Sequence, residues 1–350
     1  MKGRKGNAKP NGPPMVTLTT VAKRVGLTAG TVSVVLNDTK AAARVPERTR
    51  QRILDAAREL RYKPNFLARS LRVKRTHTVG VIAQEIGDIY GAMVISGVER
   101  YLRQENYSFL TVIHRHDPRQ LQSYSELLES RGAEGIITVD TSIVETPRLP
   151  TVAIAGHQRM DGVTNIVLDH RAAAHMAFTH LTGLGHRRIA LMKGPPESSD
   201  TDARWEAICE AADALKTKIT PQVFTQLTTS ATPQPGYEAT KELLRKSRDF
   251  TALFAFNDLA AIGAIRAVDE VGLRVPADIS VVGFDDIPSA AYIRPSLTTV
   301  RQPLHKMGEI AARTLLEQIE KRSDYVPEIA IEPEFVIRES TANATILVKD

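Results

Sequence analysis

A chain of 350 residues, 42% hydrophobic, is longer than one ordinary domain and apolar enough to bury real cores. Its single cysteine, Cys209, excludes an intrachain disulfide, which suits a reducing cytoplasm, and no apolar run reaches the roughly 18 residues that span a bilayer. Residues 1–75 hold 18 lysines and arginines against four acidic residues, while the remaining 275 hold 28 basic and 36 acidic, so a polyanion partner is expected at the basic head alone.

Residues 1–15 combine Lys, Gly and Pro without the apolar core of a secretory signal and read as a disordered basic arm. Residues 16–62 read as a small helical domain. Thr17 or Thr19 caps a first helix whose apolar face is Val21, Ala22 and Val25, and Gly26 ends it. Thr28 caps a second helix, Ala29 to about Leu36, with Val32 and Val35 turned inward. A third starts near Pro46, with Ile53, Leu54, Ala57 and Leu60 at helical spacing. Lys63-Pro64-Asn65 interrupts it, and Phe66 to Leu71 forms one or two helical turns of a linker over residues 63–75.

From residue 76 to 340 the pattern changes. β-rich apolar runs (77–83, 109–114, 135–139, 151–155, 165–168, 188–192, 252–256 and 279–284) alternate with helical stretches (93–103, 121–129, 170–184 and 259–271). Alternation of this kind predicts βαβ units and parallel sheets. The stretch Pro233–Pro235 is a loop or a helix start, and residues 341–350 form a tail without leucine heptads.

A helix-turn-helix needs a small residue in its first helix, a turn that glycine permits, and a second helix whose outer face enters the major groove. Ala22, Gly26 and the segment Thr28–Ser33 supply these. The run TLTTVAKRVGLTAGTVSVVLND, followed by RVPERTRQRILDAARELRYKPNFLARSLR, resembles the DNA-binding head of the LacI/GalR family of repressors over residues 17–75. The resemblance implies that Thr31, Ser33 and Asn37 contact phosphates and that Ala29, Gly30 and Val34 stand at the base-reading positions, with Thr17 and Thr28 at the helix starts. Ala29, Gly30 and Val34 cannot form bidentate hydrogen bonds to a base edge, which shifts weight to methyl contacts, DNA shape and the backbone. Val34 reads alternatively as a packing residue. The segment around Asn65, Ala68, Leu71 and Arg72 resembles the family's hinge helix, with Leu71 as the minor-groove wedge or, alternatively, packed on protein.

The resemblance continues through LGHRRIA (184–190), FAFND (254–258), DISVVGFDD (278–286) and PSLTTV (295–300). It implies a periplasmic-binding-protein-like core of two Rossmann-like lobes. Ligands of open α/β sheets bind beyond the carboxyl ends of the strands. Asn257 and Asp285 stand at such ends and are expected in an interlobe effector site, with Arg204 from the helix after Gly194-Pro195-Pro196 and Tyr90 from the first strand-end loop. Asn257 or Asp258 serves alternatively as a helix cap, Arg204 as a surface residue and Tyr90 as a core aromatic. Ala155-Gly156-His157 stands where many relatives carry an acidic residue.

Catalytic signatures are missing: there is no P-loop, no G-x-S-x-G, and neither His114/His116 nor His175/His180 has a usual metal spacing. No cofactor, no metal and no enzyme activity are expected, and Cys209 reads as a buried structural residue. The expected function is a cytoplasmic, dimeric transcription repressor. It would bind pseudo-palindromic double-stranded operator DNA and answer to a small effector, a sugar or related metabolite. The alternatives are a solute-binding protein of the same core fold and a regulator answering to a protein partner.

Overall fold

The computed structural model describes residues 16–37, 40–63, 70, 75–85, 87–115, 117, 120–141, 143, 145, 147–217, 219, 223–322 and 325–344. The expected arm (1–15) and the hinge residues Asn65, Ala68, Leu71 and Arg72 lie outside them. The chain divides into two compact units between Thr76 and His77.

The described residues of the first unit include α1 (Leu18–Val25), α2 (Ala29–Leu36) and α3 (Glu47–Glu59). Thr17 and Thr20 cap α1 reciprocally, each hydroxyl accepting the other's backbone N–H at 3.3 and 3.2 Å. Gly26 closes the helix at φ 69°, a left-handed position that costs a residue without Cβ nothing. Thr28 caps α2 by accepting the Thr31 N–H at 3.1 Å. Val21, Ala22, Val25, Val32, Val35, Ile53, Ala56 and Ala57 form the core, and the Arg52 guanidinium donates to the Val25 carbonyl at 3.0 Å.

The second unit contains two six-stranded sheets. The first lobe runs β1 (Thr78–Ala83), α4 (Ile89–Gln104), β2 (Ser108–Ile113), α5 (Gln120–Ser130), β3 (Ile136–Val139), β4 (Thr151–Ile154) and β5 (Val163–Leu168). The second runs α6 (His170–Gly183), β6 (Ile189–Lys193), α7 (Asp200–Ala214), β7 (Phe224–Gln226), α8 (Gln234–Lys246), β8 (Ala252–Phe254), α9 (Asp258–Glu270), β9 (Ser280–Asp285) and β10 (Thr298–Arg301). The chain then returns to the first lobe with α10 (Leu304–Ile319) and β11 (Glu328–Ile331), and ends in the second with β12 (Glu334–Val336). The sheet orders are β11-β5-β4-β3-β1-β2 and β12-β10-β9-β8-β6-β7, parallel throughout except for β12 against β10. Three short connections therefore join the lobes: Asp169, residues 302–303 and residues 332–333.

Strands covered on both faces read as continuous apolar runs, and β1, β3, β4 and β5 are buried throughout. Edge strand β2 is exposed or half-buried along its length. In the first lobe α10 crosses α4 closely because both carry glycine at the contact: a Cβ on Gly97 would strike the His305 carbonyl, and one on Gly308 the Val94 carbonyl.

Some boundaries differ from expectation. Four short strands, β7, β10, β11 and β12, and helix α10 were not anticipated, and Pro233–Pro235 opens helix α8. The unit does not end at residue 340. Thr341 bonds His180, Ala342 bonds Ser280 and His186, and the Ala344 N–H donates to Leu184, so residues 341–344 belong to the second lobe. Cys209 is half-buried rather than buried, and burial pushes its thiol up.

Candidate functional site

On and beside α2 the positions expected to meet DNA differ in exposure. Thr28 and Gly30 are exposed, while Thr31 and Val34 are half-buried. Ser33 is buried: it follows Ala29 by one helical repeat, and Ala29 packs on the core. The Asn37 amide donates to the Ser33 carbonyl at 2.7 Å and its hydroxyl at 3.2 Å, ending the helix. Ser33 thus lies against the core of the head, and Asn37 is engaged within it.

The expected effector residues do converge. Tyr90, Arg204, Asn257 and Asp285 line one cleft between the lobes, with Asp88, Asp140, Ser198, Asp200, Ser230 and Phe256. The cavity is about 20 Å³, room for a water molecule, so the lobes stand closed on it. Tyr90 is the second residue of α4 rather than part of the loop, and its buried hydroxyl has no partner. Burial, with Asp200, Asp140 and Asp285 nearby, keeps that phenol well above its ordinary range.

Arg204 is 3% exposed, which excludes a surface role. Its guanidinium lies between the rings of Phe284 (3.8 Å) and Phe256 (4.4 Å) and donates to the Phe256 carbonyl at 2.6 Å and to Asp200 at 2.9 Å. Asn257 is the N-cap of α9, accepting the Ala260 N–H at 2.9 Å, and its amide donates to the Ser230 carbonyl at 2.9 Å. Capping and cleft-lining therefore coexist in one side chain. Asp285 ends β9 with φ 106° and accepts the Gln302 amide at 2.7 Å on one oxygen only. Burial holds its carboxyl well above the usual range, with Arg204 opposing. Asp258, the other capping candidate, is buried beneath the cleft and accepts the Thr299 hydroxyl (2.6 Å) and the Ile287 N–H (2.8 Å).

The segment Glu197–Asp200 of the second lobe clasps three strand ends of the first. The Glu197 carbonyl accepts the Gln84 amide at 3.0 Å. Asp140 accepts the Ser199 N–H (2.9 Å) and the hydroxyls of Ser199 (2.6 Å) and Ser198 (3.2 Å) on one oxygen, and the Ala155 carbonyl is an alternative acceptor for the single Ser199 hydroxyl proton. Burial and nearby Asp200 push Asp140 up to about 6. Asp200 collects His157 from the first lobe (2.5 Å), His170 (3.2 Å) and Arg204. Burial opposes its charge, yet His170, His157 and Arg204 together hold the carboxyl well below the usual range.

Sequence reasoning missed Asp140, Asp200 and the clasp. Asp140 directly follows β3, so the strand-end rule that selected Asn257 and Asp285 selects it too. Asp200 stands four residues before Arg204 on one helix, a pairing distance. The convergence of His157 and His170 has no signal in spacing.

A helix-turn-helix head followed by two α/β lobes closing on a polar cleft defines a ligand-responsive, DNA-binding transcription regulator. Residues 17–65 match the lacI family of bacterial regulatory proteins, and residues 178–341 match a periplasmic binding protein-like domain. The HTH-type transcriptional repressor PurR of Haemophilus influenzae is 32% identical over 338 residues, covering 93% of this chain and 98% of the relative. The Lac repressor dimer bound to operator and the anti-inducer ONPF superposes with a TM-score of 0.84 at 26% identity, over 93% of this chain and 99% of that one. The CelR–cellobiose complex does so with a TM-score of 0.69 at 27% identity, over 93% and 99%. The chain belongs to the LacI family of bacterial regulatory proteins.

Proposed function

We propose that the protein is a cytoplasmic transcription repressor, acting as a homodimer on pseudo-palindromic operator DNA and controlled by a sugar or related metabolite held between its lobes. It carries out no chemical step. The observation that carries this reading is the cleft itself: Tyr90 and Asp285, from opposite lobes, bring an unpartnered hydroxyl and a half-satisfied carboxylate to one point, beside Asn257 and the stacked Arg204. Such groups suit a ligand rich in hydroxyls. The cavity is far smaller than the roughly 300–1,000 Å³ of a working ligand site, so the lobes must part to admit an effector.

At the head, Thr17, Thr28 and Thr31 position the backbone, while Gly30 and Val34, one helical repeat apart, stand nearest the bases with Ala29 beside them. Small side chains there leave specificity to thymine methyls, DNA shape and the hinge segment. Dimerisation supplies the second half-site, as in the relative solved as a dimer on operator. The test is to footprint the bound genomic sites, then screen sugars and nucleosides by thermal shift and follow operator anisotropy with each ligand that stabilises the protein. A protein that is monomeric on DNA, or that no small molecule releases or recruits, refutes the reading.

A further inference from the structure

Three donor atoms meet at the seam between the lobes: Nε2 of His157, Nε2 of His170 and the carboxylate of Asp200, all within 4.8 Å of one another. His157 follows β4 in the first lobe, whereas His170 and Asp200 open α6 and α7 in the second. We propose that this trio binds a divalent cation of the zinc type, which ties the first lobe to the second.

The donor set selects the class of ion. Two imidazole nitrogens and one carboxylate suit Zn²⁺, Co²⁺ or Ni²⁺, whereas Mg²⁺ and Ca²⁺ require oxygen ligands. Three protein ligands leave a position for water, and a cavity of about 280 Å³ lined by His157, His170, Asp169 and Glu206 adjoins the trio and supplies an entry path. Arg204 occupies Asp200 Oδ2 at 2.9 Å and leaves Oδ1 to the ion, an outer hydrogen bond of the kind that orients ligating carboxylates. The cleft wall sets Asp88, Asp140 and Asp200 against the guanidinium of Arg204, so a dication offsets a local surplus of negative charge.

In the metal-free geometry two N–H groups stand where the ion would bind. Both Nε2 atoms donate to Asp200 Oδ1, at 2.5 and 3.2 Å. A cation displaces these two protons, and bonds of about 2.0–2.2 Å to a tetrahedral ion set the donors roughly 3.4 Å apart, so His157 Nε2 backs away from Oδ1 by roughly an ångström. The opposing cost falls on His170, whose Nδ1 has no partner and must then carry the ring proton. One unpaired N–H is small beside three coordinate bonds. Because the ligands come from both lobes, the ion holds the closed arrangement.

The test uses the full chain stripped of metal by a chelator, titrated with ZnCl₂ by calorimetry and with CoCl₂ by visible absorption. One Zn²⁺ per chain is expected, with a Co²⁺ d–d band of low coordination number and a higher Tm in ZnCl₂. His157→Ala should weaken Zn²⁺ binding by more than the roughly 10–100-fold typical of losing an outer partner, and should abolish the Tm gain. His157 is only partly buried, so this variant folds where changes at buried His170 or Asp200 carry the risk of unfolding. His175→Ala, at an exposed position of α6, should bind as the wild type does. Absence of stoichiometric binding, unchanged affinity in His157→Ala, or a comparable loss in His175→Ala overturns the proposal.

Discussion

Asp258→Asn should stabilise the second lobe at pH 8 and do little at pH 5. Asp258 is fully buried, and burial, with Asp286 adding to it, raises its carboxyl from 3.8 to about 7 against the opposing bonds from Thr299 and Ile287. The folded state therefore holds a proton that the unfolded state releases between about pH 4 and 7. Stability is greatest at low pH, falls as pH rises through that window, and is level above it. At 1.36 kcal/mol per tenfold change in proton affinity, moving from 3.8 to about 7 costs the folded state about 4 kcal/mol at pH 8. Asparagine keeps both partners, its carbonyl accepting the Ile287 N–H and its amide donating to the Thr299 hydroxyl, which turns toward the Val300 carbonyl at 3.4 Å. Losing the charge-assisted bonds returns about 1–2 kcal/mol of this, leaving a net gain of about 2 kcal/mol at pH 8. Urea unfolding at both pH values, followed by the single tryptophan, Trp205, reads the second lobe alone, because that ring packs against Phe224 within it at 4.7 Å. Equal destabilisation by Asn at pH 5 and pH 8 would show that the ionised carboxylate is favourable where it sits, and the reasoning would fail.

Three further outcomes are expected. Asp285→Ala should abolish the effector response in operator anisotropy while leaving operator affinity without effector within about twofold, since its free oxygen faces the cleft; a normal response would remove Asp285 from the effector site. Gly97→Ala, which drives a Cβ into the His305 carbonyl where α4 crosses α10, should destabilise the first lobe by about 1–3 kcal/mol or more in denaturant melts, whereas a neutral effect would mean the crossing relaxes easily. Leu71→Ala should lower affinity for operator far more than for random DNA and flatten the DNA bend in gel-shift assays; an equal loss on both would assign Leu71 to general binding.

Periodicity made the head and the alternation of the body legible. Val21, Val25, Val32, Val35 and Ile53 fall at core positions because helical spacing is a local property, and Thr17 and Thr28 cap because a hydroxyl at a helix start meets its own N–H groups. Strand-end positions brought Asn257 and Asp285 to the cleft, since both stand at the carboxyl ends of parallel strands. Helix α10 was missed: it follows β10 of the second lobe yet packs in the first, and nothing local to it marks that return.

The sequence by itself determined a basic helix-turn-helix head, an α/β body and the side chains that four strand ends and helix starts would offer a ligand. All of these follow from contacts within a few residues or from composition. Tertiary structure alone decided which of those side chains remain free. Ser33 turns into the head, Asn37 and Asn257 spend hydrogen bonds on helix ends, and Asp200 gathers His157, His170 and Arg204 from segments 4 to 43 residues away. Whether a polar group meets a ligand, a cap or another side chain depends on which partners the packed chain brings within about 3 Å, and three lobe crossings bring together residues whose sequence separation carries no trace of the meeting.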